Sequence, residues 1–332
     1  MFSAARFRDW TLLLACNLIW ASQFVMVKLV QAQMGPVFAT FFPITLAMLL
    51  LIPVVRRERR KLTGENARIP VHDVLEFILI GIFGQVVAQL FITWGVRWSL
   101  ASNAALLMLA LPISTAVMAY FFLGERMTRV RWLSFALALA GVMECSGIDW
   151  KELNLVSVRF LLGNIMIFLS VTGSAFYNVY SKKLLRRYSP LQVLLYSYYA
   201  VFAVLCPITV YAEPQGFTNL PHYNKVVWLG LVILALFQYF LSMVIFLNVL
   251  TRLDATQAAV SNYLIPFFGV VIAAIVLHER LTKFMVLGGI LVLGSTLLVT
   301  VYEEQQRARE NVGLSARPRQ AENERQQKAE TP

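Results

Sequence analysis

The sequence predicts an all-α membrane protein: ten transmembrane helices arranged as two inverted five-helix repeats. Three observations predict it. First, the 332-residue chain is 58% hydrophobic and only 14% charged, whereas soluble domains carry about 25% charged residues. Second, residues 101–133 are written again at 255–287 without a gap; Pro112 and Pro266, and Glu125 and Glu279, each lie 154 apart (266 − 112 and 279 − 125). Third, five apolar runs precede residue 147 and five follow residue 158. An odd number per half means that the second half enters the membrane upside down relative to the first, the plan of many secondary transporters.

Taken in order, the first repeat (1–147) places spans at about 10–30, 37–55, 74–96, 101–123 and 130–147, most of them close to the 20 residues that cross a bilayer. The second repeat (158–302) places them at about 158–180, 191–211, 226–250, 255–277 and 284–302. Residues 303–332 are polar and charged, and are expected to be a disordered cytoplasmic tail because they cannot bury enough apolar surface to fold.

In each copy of the repeated stretch, a proline stands inside an apolar span. It removes one backbone donor and crowds the carbonyl four residues earlier, Met108 for Pro112 and Asn262 for Pro266. Kinks at mid-membrane are therefore expected in both. Freed backbone at that depth needs protein or a water-filled cavity around it. Two interrupted helices in corresponding positions point to a binding site between the halves. Where these spans emerge, Glu125-Arg126 and Glu279-Arg280 are expected to act as structural corners that pair with neighbouring side chains or helix ends; a gate latch is the sharper alternative.

The net charge of +11 would suggest nucleic acid in a soluble chain. Here the basic residues lie in short connections, among them Arg56, Arg57, Arg59, Arg60 and Lys61 after span two and Lys182, Lys183, Arg186 and Arg187 after span six. Their distribution places both termini in the cytoplasm, and no nucleic-acid partner is expected. Cys16, Cys145 and Cys206 have no metal-ligand spacing and are read as small core residues. The three histidines are scattered, and neither a phosphate-binding glycine loop nor a zinc motif occurs. No enzyme, metal or cofactor is expected.

The paired corners L-G-E-R-x-T and L-H-E-R-L-T, together with Asn17-Leu-Ile-Trp20-Ala-Ser22 and Lys28 in the first span, resemble the drug/metabolite transporter superfamily, EamA type. The resemblance covers about residues 10–302. It implies a ten-helix bundle in the bacterial cytoplasmic membrane that moves small metabolites, often outward and often amino acids or aromatic compounds. His278 departs from the usual glycine of the second corner, and span six shows the pattern weakly.

Ionisable residues at mid-membrane are costly and mark ion or proton pathways. Those within the spans, such as Glu76 and Glu144, lie near span ends, so a buried proton relay is not supported. The spans instead carry uncharged polar and aromatic groups. Candidates for a substrate cavity are Trp20, Ser22 and Gln23; Gln85, Gln89 and Trp94; Asn103; Tyr177 and Asn178; Gln238 and Tyr239; and Gln257, Asn262 and Tyr263. For any one of them the plainer use is a hydrogen bond between helices. As a set on six spans they suit a small, neutral or zwitterionic, partly apolar metabolite; phosphorylated solutes would want Arg or Lys at depth. A nucleotide-sugar or phosphate-ester exchanger of the same superfamily, and a membrane-embedded enzyme or scaffold, remain open alternatives. So does pairing into a homodimer. Small residues on spans five and ten, Gly141, Gly288, Gly289 and Gly294 among them, are expected to serve close packing.

Overall fold

The structure, a computed structural model, describes residues 4–60, 69–98, 110–125, 127–145 and 158–265, with residue 107 and single helical residues between 268 and 305. The elements are α1 (Ala4–Gln31), α2 (Pro36–Arg59), α3 (Val71–Leu79), α4 (Val87–Trp98), α5 (Ala110–Leu123), α6 (Arg129–Cys145), α7 (Val158–Leu184), α8 (Pro190–Ala212), α9 (Gln215–Thr218), α10 (Lys225–Ile233), α11 (Ser242–Leu250) and α12 (Ala255–Ser261). A π-helical segment, Ile80–Val86, joins α3 to α4, and a second, Leu234–Leu241, joins α10 to α11. No strand occurs among the described residues. Five of the rods are long and apolar enough to cross a membrane: Pro36–Arg59, Val71–Gly95, Leu161–Leu184, Pro190–Ala212 and Lys225–Leu250. Large apolar side chains such as Phe121, Leu162 and Leu229 stand exposed on the outside of the bundle, as a lipid-facing surface requires.

The helices begin where local chemistry satisfies their free amides. Pro36 and Pro190 each open a helix at its first position, where the missing N–H is no loss. Ser189 and Gln192 form a reciprocal capping box, Asn224 Oδ1 accepts from the Val227 amide at 2.8 Å, and Asp254 pairs with Gln257 in a second capping box. α5 ends at Gly124, which takes φ 70° in the left-handed region that glycine enters freely. An added Cβ there would meet nothing within 4 Å, so the backbone alone sets the preference. Gly124→Ala is expected to cost about 1–2 kcal/mol, read as a lower unfolding temperature of the purified protein.

The 154-residue offset extends well beyond the stretch in which it is plainest. Pro36 and Pro190, Pro53 and Pro207 inside α2 and α8, and the first residues of the two π-helical segments, Ile80 and Leu234, are all spaced by it (190 − 36, 207 − 53 and 234 − 80). Packing follows the same rule. α1 lies against α10, α11 and α12, while α7, its counterpart, lies against α4, the first π segment and α5. α2 meets α8 and the second π segment, and α8 meets α2 and the first. The two halves are thus interleaved, and the match between them is partial, since α1 packs on α10 whereas α7 does not pack comparably on α3.

Of the small residues expected to serve close packing on spans five and ten, Gly141 and Gly288 are buried and Gly294 is exposed. A Cβ on Gly294, in span ten, would meet nothing within 4 Å, so this residue does not serve close packing among the described residues. On Gly81 it would lie 2.5 Å from Ala200 Cβ and 2.7 Å from the Ser197 carbonyl oxygen, and on Gly84 2.9 Å from Tyr177 Cβ. Span three thus crosses spans seven and six closely, and span eight crosses span one closely at Gly230, where a Cβ would lie 2.8 Å from Val30 Cγ1. The lattice of apolar contacts that surrounds them, including Phe38, Ile44, Leu51, Ile80, Leu205 and Phe246, is fully buried.

Candidate substrate site

Near mid-length, the rods exchange hydrogen bonds through uncharged side chains. Gln238 Nε2 donates to Gln23 Oε1 at 2.7 Å, and Gln23 Nε2 in turn reaches Gln89 Oε1 and the Tyr239 hydroxyl, each at 3.4 Å. Trp20 Nε1 donates to Ser242 Oγ at 3.0 Å, with its ring 5.2 Å from that of Phe246. Asn17 Nδ2 donates to Ser261 Oγ at 3.0 Å, and Cys16 Sγ to the Ser242 carbonyl at 3.1 Å. α1 therefore presents Cys16, Asn17, Trp20 and Gln23 to spans eight and nine of the other half.

Among the sequence candidates, Gln23, Gln89, Gln238 and Tyr239 form this one network. Trp20 adjoins it through Ser242. The π-helical segments carry Gln85 on one side and Gln238 with Tyr239 on the other; such wide turns inside helices are frequent at functional sites. Gln85, Tyr177 and Asn178 are buried, Tyr177 against Gly84. Asn262 and Tyr263 are buried beyond α12, Tyr263 with its ring 6.3 Å from Phe135.

Other candidates are engaged elsewhere. Ser22 Oγ donates to the Ile19 carbonyl of its own helix, and Trp94 stacks on Trp98 with centroids 6.4 Å apart. Gln257 Oε1 accepts from the Asp254 amide at 3.1 Å, so this side chain completes a helix cap. Asn103, Pro266, Arg126, Glu279 and Arg280 lie outside the described residues, as does Met108, so the first kink is not described. Pro112 is buried in the first turn of α5. In span nine the α-helix ends at Ser261, and the Asn262 carbonyl accepts from Ile265 N at 3.1 Å. Asn17 and Cys16 were not singled out as site residues. A polar amide in the middle of an apolar run was the available signal.

One end of the bundle is bound by charge. Glu125, turned across by Gly124, accepts from the Ala255 and Thr256 amides at 2.8 and 3.0 Å and from Thr256 Oγ1 at 2.8 Å. Lys182 Nζ lies 3.1 Å from Glu125 Oε1 and 3.2 Å from Asp254 Oδ1, and Arg131 Nη2 is 2.8 Å from Asp254 Oδ2. Burial alone would raise the Asp254 carboxyl, but Lys182 and Arg131 outweigh it and hold its pKa below the ordinary value. Arg252 clasps Asp9 through Nε and Nη2, at 2.8 and 2.7 Å. Asp73 and Glu76 are held by Arg187, with Tyr188 on Asp73 and Lys183 on Glu76. At the other end Glu213 accepts from the Val37 and Phe38 amides at 3.1 and 2.8 Å, capping α2. His72, Asp73 and Glu76 lie close enough to share an ion, but both carboxylates are already paired with cations.

The chain matches the EamA-like transporter family twice, over residues 10–145 and 161–301. An uncharacterized transporter of Archaeoglobus fulgidus is 25% identical over 297 residues, 89% of this chain and 98% of its own. A probable terminal-alkyne amino-acid exporter of Streptantibioticus cattleyicolor is 26% identical, covering 87% and 92%. An S-adenosylmethionine uptake transporter of Rickettsia felis is 22% identical, covering 86% and 90%. These names are those of transporters rather than enzymes. A solved crystal structure is similar in fold, with a TM-score of 0.75 at 16% identity, over 90% of this chain and 98% of that one. With apolar rods of membrane-crossing length and a family match on both halves, this multi-pass membrane protein belongs to the EamA-like transporter family.

Proposed function

We propose that this protein moves a small, neutral or zwitterionic, partly apolar metabolite, amino-acid-like or aromatic, outward across the bacterial cytoplasmic membrane by alternating access. The observation that carries the proposal is the hydrogen-bonded set Gln238, Gln23, Gln89 and Tyr239. It is polar without charge, lies near mid-length of its rods, and takes members from both halves. A neutral solute can exchange hydrogen bonds with such a set, whereas a phosphate ester would leave its charge unpaired. No described carboxylate stands at mid-length of a span, which favours facilitated diffusion or exchange over a proton relay. The outward direction follows the relative named as an amino-acid exporter.

Ten spans in two inverted repeats, with both termini cytoplasmic, fit the charged end. There Asp9 at the start of α1 meets Arg252 after α11, and Asp73 at the start of α3 meets Arg187 after α7. In the numbering by halves, spans one and three begin at the end where their counterparts, spans six and eight, finish. The family match on each half separately and the partly matching packing of the two halves support the same architecture. The basic loops after spans two and six belong to that end, which the positive-inside rule assigns to the cytoplasm.

Purified protein in liposomes loaded with unlabelled phenylalanine should accumulate labelled phenylalanine by counterflow and should not carry a sugar phosphate. Gln23→Leu is expected to reduce this flux about tenfold or more, because it strips the donor and acceptor that join the halves, each bond being worth about 1 kcal/mol. Sugar-phosphate flux in the same vesicles would contradict the proposed substrate class.

A further inference from the structure

Span eight widens where it carries the hydrogen-bonded network. In a regular α-helix the amide of residue 242 would bond the carbonyl of residue 238. The Ser242 amide instead reaches the Phe237 carbonyl, five residues back, as π-helical turns do. The Gln238 carbonyl thereby loses its usual donor, and the Ser242 hydroxyl takes that place. The next carbonyl, that of Tyr239, accepts from the Tyr198 hydroxyl of α8 at 2.6 Å. Ser242 and Tyr198 are fully buried, so bulk water does not compete for either bond. The two residues whose carbonyls are held by hydroxyls are thus the two whose side chains meet Gln23.

Trp20 fixes which way the Ser242 hydroxyl points. An indole N–H only donates, and Trp20 Nε1 donates to Ser242 Oγ at 3.0 Å. The serine proton is therefore left for the Gln238 carbonyl. Trp20 is itself held against Phe246, about one turn beyond Ser242, with ring centroids 5.2 Å apart. The Thr45 and Thr209 hydroxyls also bond the carbonyl four residues back, but inside regular α-helix, where the ladder already supplies an amide donor. At Ser242 the hydroxyl replaces the ladder rather than adding to it.

The mirrored crossing separates fold from function. Cys16 Sγ donates to the Ser242 carbonyl at 3.1 Å, and Ser170 Oγ to the Ala88 carbonyl at 2.6 Å. Donors and acceptors are each 154 apart (170 − 16 and 242 − 88), so this bond belongs to the architecture that both halves share. The indole and the hydroxyl do not repeat. Ala88 stands where the second half has Ser242, and Ser174 where the first has Trp20 (174 − 20). We propose that Ser242 is a positioning residue for solute binding: its hydroxyl, set by Trp20, holds the wide turn of span eight so that Gln238 and Tyr239 meet Gln23. The role rests on the transport function proposed above. Gln238 has an acceptor to offer a solute, since its Oε1 receives no hydrogen bond among the described residues.

The test is phenylalanine counterflow by the full-length protein in liposomes, with KM and maximal rate measured separately. Ser242→Ala should raise KM about tenfold and leave the maximal rate within about twofold, the pattern of lost binding. Ser242→Thr retains a hydroxyl that reaches the carbonyl four residues back and should keep the parental KM, even where its methyl lowers the unfolding temperature. Ser170→Ala, which removes the mirrored bond, should lower the unfolding temperature and leave KM unchanged. Trp20→Phe keeps a ring beside Phe246 and removes the N–H. It should raise KM about threefold, the worth of a weak hydrogen bond, and no further when added to Ser242→Ala, because the two act in series. A parental KM in Ser242→Ala, or in Trp20→Phe should Ser242→Ala not fold, would overturn the positioning role while leaving transport in place. An equal rise in Ser242→Thr or Ser170→Ala, or effects of Trp20→Phe and Ser242→Ala that multiply, would overturn it too. No phenylalanine counterflow by the parent would overturn the solute class and the positioning role together.

Discussion

Glu125→Ala is expected to remove about 3 kcal/mol of stability and to loosen the charged end of the bundle. The carboxylate holds two backbone amides and one hydroxyl at the start of α12, and it is the partner of Lys182, whose side chain is only 17% exposed. Removing it orphans the Ala255 and Thr256 amides of α12 and leaves a largely buried cation to Asp254 and the Leu253 carbonyl. Since α12 opens the second copy of the repeated stretch and Glu125 closes the first, the change acts at the joint between the halves. Thermal unfolding reads the stability. Labelling of Ser261→Cys by an impermeant maleimide reads the opening, with inside-out vesicles exposing the expected cytoplasmic face. Faster labelling in the Glu125→Ala background identifies a gate latch; lower stability with unchanged labelling identifies a fixed structural corner. Glu125→Gln should fall between, because an amide still offers one oxygen to the helix end but no charge to Lys182.

The contribution of Asp254 to the same joint should be indifferent to pH over the physiological range. Asp254 has a lowered pKa in the folded protein, so its contribution is complete above the unfolded value, about 3.9 for aspartate, and is lost only as pH falls through the lower folded value. Between pH 5 and 8 it stays ionised, and pH-dependent flux in that window would have to originate from a group other than Asp254.

What the sequence disclosed was periodic or compositional. Apolar runs located the rods, and the 154-residue offset was plain where alanines, proline and glutamate recur together. It was equally present at Pro36 and Pro190, and at Pro53 and Pro207, but single matched prolines inside otherwise dissimilar spans carry little weight until the helices are seen to correspond. The π-helical segments left no such trace. Ile80–Val86 reads as ordinary apolar helix, and the wide turn shows only in the backbone. Gln85 and Gln89, four residues apart, would share one face of a regular helix; Gln89 meets Gln23, whereas Gln85 lies buried inside the wide turn.

Residue type and depth were legible, but partnership was not. Asn17 and Ser261 are 244 positions apart, and Gln23 and Gln238 are 215 apart, so nothing local announces either bond. Gln257 shows the converse. It was named among the cavity candidates, yet the Asp254-x-x-Gln257 spacing is also that of a capping box, and the helix end claims it.

Gly81→Val should be the most damaging substitution in the apolar part of the bundle, and Gly294→Ala its harmless counterpart. In helix propensity alone both replacements of glycine would help, alanine by up to about 1 kcal/mol. The surroundings decide the sign. At Gly81 even the first carbon of a side chain would stand 2.5 Å from Ala200 Cβ and 2.7 Å from the Ser197 carbonyl oxygen. The latter is backbone within α8 and cannot rotate away, so spans three and seven must separate. Overpacking of a dense interior costs about 1–3 kcal/mol, occasionally more, and valine adds two further methyl groups to a site already closed to one. Separation would also disturb Gly84 against Tyr177, one turn deeper, and through it the contact between the halves. At Gly294 an added Cβ meets nothing within 4 Å and the position is exposed, so propensity acts unopposed. Thermal unfolding of the two variants in detergent should therefore move in opposite directions from the parent. A Gly81→Val protein as stable as the parent would show that spans three and seven do not approach this closely, and the packing that seats Gln85 and Gln89 beside the second half would have to be redrawn.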